Sequence, residues 1–395
     1  MARRRAKRAK RALSFWAKIP MTRGEAFLAT PTITLLIAGV VMVGSASART
    51  ATGSGNFFKS TTAKEAVYAA FGAVLYFQIR KIPVASMLRW SKYFLGACFV
   101  ALLLVPIFGV EIDGGKRWLG VGPLLVQPSE FTKLAFVLAA AAWIASAERE
   151  SSDWLRSAYL LVPLIAVTFL IVKTEHDAGT GAVIFFSTFA IYFAAGIKRR
   201  TFYQVFSVAL IGLVGSLSIH KYQRDRIKGL FLQNEGWQSF NQQAHQARIG
   251  FGAGGLWGLG YGNGREKWGL VANPHSDFIF ATIGEELGFI GSVATLVLLG
   301  WLLLGAWRIA MNARRRDSQL LAVGIASWFT IQIGMNIGSV TGLFPVTGVP
   351  LPLVSYGGTS LVVNLAALAV LGAVARETEK SLTTVSSEPV AARAR

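Results

Sequence analysis

The chain has 395 residues, of which 53% are hydrophobic and only 15% charged, and its mean hydropathy is +0.48. Ordinary soluble domains carry about 25% charged residues, so a chain this apolar cannot hide its surface from water, and lipid must be its main solvent. The net charge of +20 invites a nucleic-acid reading, because Arg3, Arg4, Arg5, Lys7, Arg8, Lys10 and Arg11 form a basic tail. In a membrane chain the positive-inside rule explains that tail better, with anionic headgroups rather than nucleic acid as its contact. One cysteine, Cys98, excludes an internal disulfide framework and any multi-cysteine metal site.

A helix needs about 20 apolar residues to cross a bilayer core. Such runs fall, in chain order, at 27–46, 65–82, 92–109, 131–147, 157–173, 180–197, 203–220, 278–307, 319–340 and 358–375. The chain therefore reads as all-α, a polytopic membrane protein with about ten transmembrane helices and long outward loops. Ala46-Ser47-Ala48 resembles a signal-peptidase site, but the preceding run exceeds an ordinary signal core, so a retained signal-anchor is expected. The eighth run is too long for one perpendicular crossing, which places its first turns outside the lipid or in a cavity. An even number of spans puts both termini on one side. Most of the 40 Lys and Arg fall in that side's segments, among them Arg80, Lys81, Arg315 and Arg376, which makes both termini cytoplasmic. Residues 1–24 read as a basic cytoplasmic tail, 25–375 as one membrane domain, and 376–395 as a flexible cytoplasmic tail of mixed charge.

The outward loops at 110–130 and 221–277 are long. The second mixes aromatics with a glycine cluster from Gly250 to Gly264, which suggests segments at the interface that fold back towards the bundle. As a phosphate cradle the cluster is weak, lacking the GxxxxGK[ST] spacing and a flanking strand. Asp277 stands at the junction of this loop with the eighth run. There a carboxylate is either a helix cap or a functional group, and desolvation would suit it to act as a base. Glu285 and Glu286 lie deeper; acids at that depth are functional or paired to a cation on another span. Asp113, Lys116, Arg117, Glu130 and Lys133 cluster around the 110–133 loop, and Lys173, Glu175, His176 and Asp177 occupy another outward turn. Cations facing carboxylates in a half-dry cavity could hold a phosphorylated lipid or form structural ion pairs. The four histidines lack metal-ligand spacing, and no Ser-His-Asp signature is present.

Five segments resemble the SEDS proteins, the FtsW/RodA/SpoVE group. They are Gly114-Gly115-Lys116-Arg117-Trp118-Leu119, Gln127-Pro128-Ser129-Glu130 with Lys133, Asp177-x-Gly179-Thr180, Pro274 through Gly288, and Pro350 through Gly358. Together and in order they cover residues 114–358. The resemblance implies a peptidoglycan glycosyltransferase that polymerises lipid II on the outer face of the bacterial cytoplasmic membrane. It implies as partners lipid II and the nascent glycan strand, a class B penicillin-binding protein transpeptidase, and other division or elongation proteins. The family's essential aspartate maps onto Asp277, favouring a functional role over a cap; Glu130 and Lys133 match cavity positions and Asp177 an outward acid. Direct displacement follows, with Asp277 as base and Lys116, Arg117 and Lys133 as candidates to hold the pyrophosphate. Asp177, Ser276, Glu285, Glu286 and Ser355 are expected to support the cavity. No resident cofactor is implied, although a divalent cation, magnesium or manganese, is left open. Ser276 stands where Thr is commoner, His176 replaces a frequent Pro, and 262–268 only approximates the family wording. Ile283-Gly284-Glu285-Glu286 looks more like the division branch, FtsW. A lipid II flippase, a noncatalytic scaffold for the transpeptidase, and a lipid-linked-sugar ligase are the rival readings.

Overall fold

A computed structural model describes residues 22–47, 61–112, 115–121, 124–147, 163–175, 177–196, 203–204, 206–207, 210–211, 215, 242–265 and 275–387. Helix α1 (Arg23–Ala46) starts at a capping box: the Thr22 hydroxyl accepts from the Glu25 amide and the Glu25 carboxylate from the Thr22 amide. It is followed by α2 (Thr61–Ile79) and α3 (Val84–Phe108), which begins directly after Pro83. Three strands come next, β1 (Gly109–Ile112), β2 (Gly115–Val121) and β3 (Leu124–Val126). The remaining elements are α4 (Pro128–Ala147), α5 (Pro163–Lys173, ending in a π-helical turn, Ile171–Glu175), α6 (Ala178–Ala194), α7 (Gln242–Gly254), α8 (Ile279–Asn312), α9 (Arg316–Thr341) and α10 (Gly358–Ser387).

Among the described residues six helices are long and apolar enough to cross a membrane: α1, α3, α4, α8, α9 and α10; α5 and α6 are apolar but shorter. The expected runs overlap described helices, although residues 157–162 of the fifth and most of the seventh, 203–220, lie outside the described residues. The apolar stretch of α10 is wholly buried, and α2, α1, α9, α4 and α8 all pack against it. Small residues permit the approach: a Cβ on Gly72 of α2 would sit 2.6 Å from Leu365 Cδ1 of α10. Helix α8 has Asp277 just before its start and Arg314 to Arg316 just after its end. Helix α9 then runs back, so the loop at 342–357 returns to the end where Asp277 lies, and Arg80, Arg315 and Arg376 gather at the other.

The overlong eighth run resolves into two parts at Gly288, whose φ of 70° and ψ of −165° interrupt α8. Every residue from Ile279 to Glu286 is buried, while Phe289 to Asn312, roughly 36 Å at 1.5 Å per residue, is long enough for a bilayer core. The kink is where the glycine cluster folds back. The Leu259 and Gly260 amides donate to the carbonyls of Glu285 and Glu286, both at 3.0 Å, and the Phe289 amide donates to Gly255 at 2.8 Å. A Cβ at Gly288 would collide with the Gly258 amide and reach within 2.6 Å of Leu256 O. Gly288→Ala is therefore expected to destabilise the fold by at least about 1–3 kcal/mol, read as an earlier thermal unfolding transition in detergent.

Two expectations need correction. The 110–130 loop is not irregular: β1, β2 and β3 form an antiparallel sheet in that order, with Gly109 opposite Leu119 and Leu119 opposite Val126. The all-α class therefore gains a small sheet at the end of the bundle where Asp277 lies. Nor does the chain leave helix at Arg376, because α10 continues to Ser387. Glu377 holds that extension, pairing with Arg315 at 2.8 Å and accepting from the Ser318 hydroxyl at 2.9 Å. The basic tail before residue 22 lies outside the described residues.

Candidate functional site

Asp277 occupies the turn between the glycine-rich loop and α8 and is half-buried. The N-cap of α8 is Phe278, which makes no side-chain cap, so Asp277 does not hold the cap position. Its backbone is fixed from α9, where Asn336 Nδ2 donates both to the Asp277 carbonyl at 3.0 Å and to the Val349 carbonyl at 2.8 Å. The loop at 345–355 passes alongside: a Cβ on Gly348, where φ is 73°, would lie 3.6 Å from Asp277 Oδ2. The preceding turn is held as well, since the Tyr356 amide donates to His275 O at 2.8 Å and the two rings pack at 5.4 Å. Ser276, half-buried, shares this turn. Ser355 accepts from the Leu351 amide at 2.8 Å and so closes the 351–355 turn.

One turn back along α9, Gln332 donates to the Pro350 carbonyl at 2.9 Å and accepts from Trp328 Nε1 at 2.6 Å and from Lys133 Nζ at 3.2 Å. Lys133 also bonds Glu130 at 2.9 Å, and its ammonium lies 5.2 Å from the Trp328 ring centroid. Trp328, Gln332 and Asn336, spaced by four, thus form a polar ladder on one face of α9. The ladder connects the Asp277 turn, the 345–355 loop and the Glu130–Lys133 pair of α4. The pair is 2% and 1% exposed, so this cation is spent on its carboxylate and on the ladder. Lys116 and Arg117, on β2, differ from it. Lys116 is exposed and Arg117 half-buried, with its Nε donating to the Glu175 carbonyl at 2.6 Å.

Glu175, beyond the apolar part of α5, is fully buried, and neither carboxylate oxygen has a hydrogen-bond partner among the described residues. Burial pushes its carboxyl up to about 8, against the pull of the nearby Ser129 hydroxyl and Arg117. Asp177 acts as the cap of α6: it accepts from the Thr180 amide at 2.9 Å and hydroxyl at 2.7 Å. Gly179 explains the rest of that motif, because a side chain there would strike Val349 and the Thr347 carbonyl of the loop beside Asp277.

Glu285 and Glu286 belong to a separate arrangement. Glu286 receives the Ser45 hydroxyl of α1 at 2.6 and 2.7 Å and the Gly262 and Gly264 amides at 3.1 and 3.4 Å, and Glu285 receives the Arg265 amide at 2.6 Å. These buried acids anchor the glycine cluster to the kink of α8. Sequence reasoning missed Trp328, Gln332 and Asn336, whose spacing by four within an apolar run was the available signal. It also missed Arg248 of α7, which donates to the Thr341 carbonyl at 3.2 Å and so closes the C-terminal end of α9. Among the described residues no three His, Cys, Asp or Glu side chains come together to hold a metal ion.

Residues 26–380 match the FTSW/RODA/SPOVE family, described as cell cycle protein. This chain belongs to that family. It is 36% identical over 357 residues to stage V sporulation protein E of Bacillus subtilis, covering 90% of this chain and 98% of the relative. It is 32% identical over 351 residues to a protein of Idiomarina loihiensis named probable peptidoglycan glycosyltransferase FtsW, covering 88% and 86% of the two chains. The fold is also that of solved structures. A chain from work on structural coordination of polymerization and crosslinking by a peptidoglycan synthase complex superposes with a TM-score of 0.74 at 27% identity, covering 91% of this chain and 99% of the other. The rod shape determining protein RodA of Thermus thermophilus gives 0.65 at 27% identity, covering 91% and 98%.

Proposed function

We propose that this chain is a peptidoglycan glycosyltransferase that polymerises lipid II, with Asp277 as the base. The observation carrying the reading is a half-buried carboxylate just before the N-cap of α8, its backbone held from the α9 ladder, at the end of a family-typical membrane bundle. Asp277 takes the proton of the acceptor sugar's 4-hydroxyl as that oxygen bonds to the donor's anomeric carbon. The bond from that carbon to the lipid pyrophosphate breaks on the opposite side, giving an inverted β-1,4 linkage and free undecaprenyl pyrophosphate. The leaving group is already acidic, so the larger task is to stabilise its developing charge. Lys116, exposed on β2, and its half-buried neighbour Arg117 are the candidates for that task. Lys133 enters as a positioning residue through Glu130 and Gln332, Asp177 and Ser355 shape the adjoining turns, and Glu285 and Glu286 brace the loop that precedes Asp277. A divalent cation could assist the pyrophosphate; chelation during turnover is the measurement that decides.

Ten spans, with both termini on the cytoplasmic side, put the Arg80–Arg315–Arg376 end inside the cell and Asp277 at the outer face of the bacterial cytoplasmic membrane. The motif wording favours a division role. Its partners are the nascent glycan strand, a class B penicillin-binding protein and other division or elongation proteins. The experiment is polymerisation of labelled lipid II in detergent by the purified chain with such a transpeptidase partner. A glycan ladder is expected; detergent has no two leaflets, so a flippase would give none. Normal partner binding with no polymer under any lipid or cation condition would instead identify a scaffold.

A further inference from the structure

At the opposite end of the bundle, past the last residues of α2, lies a cavity of about 230 Å³ between the α2–α3 turn, the start of α9 and the later turns of α10. Its walls contribute Arg80, Lys81, Arg315, Arg376 and Lys380 against a single carboxylate, Glu377. That carboxylate is engaged by Arg315 and Ser318, and Arg315 also pairs with Asp317 at 2.6 Å. Behind the wall Glu25 is fully buried, 3.6 Å from Arg80 Nη1 and 4.0 Å from Arg376 Nε, with its other oxygen on the Thr22 amide. The walls thus carry five cations against Glu377, with Glu25 behind them.

Arg80 is the telling group. It is only 4% exposed, it lines the cavity, and its Nε and Nη1 have no hydrogen-bond partner among the described residues. Nη1 meets Glu25 only at ion-pair distance, 3.6 Å, so the buried guanidinium lacks the close acceptor oxygen that a ligand would supply. Beside the cations, Ile82, Pro83, Val84 and Ala85 give the cavity an apolar lip. The apolar runs of α2 and α10 end at this level, so the cavity sits where headgroup phosphates lie.

We infer that this cavity binds a phosphate group, presented by a phospholipid headgroup or by a soluble phosphorylated molecule. Arg80 and Arg376 take its oxygens, and Lys81 and Lys380 supply the charge at the rim. The inference is independent of the transferase reading, because the cavity lies at the other membrane face.

The test uses the full chain in phosphatidylcholine nanodiscs, with and without phosphatidylglycerol, and counts retained anionic lipid by native mass spectrometry. A second arm titrates inorganic phosphate into phosphatidylcholine nanodiscs and follows the unfolding temperature. Lys81→Gln/Lys380→Gln spares the buried Arg80–Glu25 contact, and Arg308→Gln removes a charge from the same face outside the cavity. The double variant is expected to weaken retention about tenfold, while Arg308→Gln leaves it unchanged. Retained lipid without a phosphate effect identifies the headgroup. A phosphate-induced stabilisation lost in the double variant identifies a soluble ligand, and either result upholds the site. A double variant equal to the parent in both arms, or an equal loss in Arg308→Gln, overturns it.

Discussion

Asp277→Asn is expected to lower lipid II polymerisation by about 10²–10⁴-fold, the usual contribution of a positioned general base. The substitution keeps the side chain's size and one oxygen but cannot accept the acceptor hydroxyl's proton. Folding should be unaffected for a structural reason. Phe278 is the N-cap of α8, and the Asp277 backbone carbonyl that Asn336 holds is unchanged by the substitution. The measurement pairs product ladders with thermal unfolding of the same preparation. Full-rate polymerisation by the Asn variant would move the base elsewhere; a lowered unfolding temperature would return Asp277 to a structural role.

The largest effect on stability is expected from Lys133→Met. Its ammonium is 1% exposed and pairs with Glu130, 2% exposed, at 2.8 Å, so the variant strands a carboxylate among the α4, α6 and α9 side chains. Breaking such a buried pair costs about 3–5 kcal/mol, whereas replacing both partners with uncharged groups of similar volume is close to neutral. The double variant Glu130→Gln/Lys133→Met should therefore recover most of the unfolding temperature lost in the single one. If single and double variants unfold alike, the pair does not govern the stability of the α4–α9 contact.

The helices were legible because a bilayer-length apolar run is a strong signal, and the polar segments around Asp277 stood out against it. The sheet was not: strands of four, seven and three residues are too short for alternation to register, and their glycines read as loop. Glu285 and Glu286 were visible as costly acids, yet the partners that hold them include the Ser45 hydroxyl and the backbone amides of Gly262, Gly264 and Arg265, which carry no charge to search for. Asp177 read as a cavity acid, and only the fold turns its oxygens onto Thr180. The α9 ladder was hidden for a different reason. Trp328, Gln332 and Asn336 are uncharged and disappear into the hydropathy of their span, although their spacing already placed them on one face. The extension of α10 past Arg376 depends on Arg315, a contact between segments 62 residues apart that composition cannot reveal.

The enclosure of the apolar stretch of α10 constrains how the bundle is assembled. This segment leaves the ribosome after α1 to α9, yet it fills the centre rather than joining the rim. Its forerunners are therefore made before the segment that fills their centre, among them α2, whose Gly72 lies against Leu365. A chain stopped short of Gly358 would lack that centre, and the membrane's quality-control proteases would meet it as an unfinished protein.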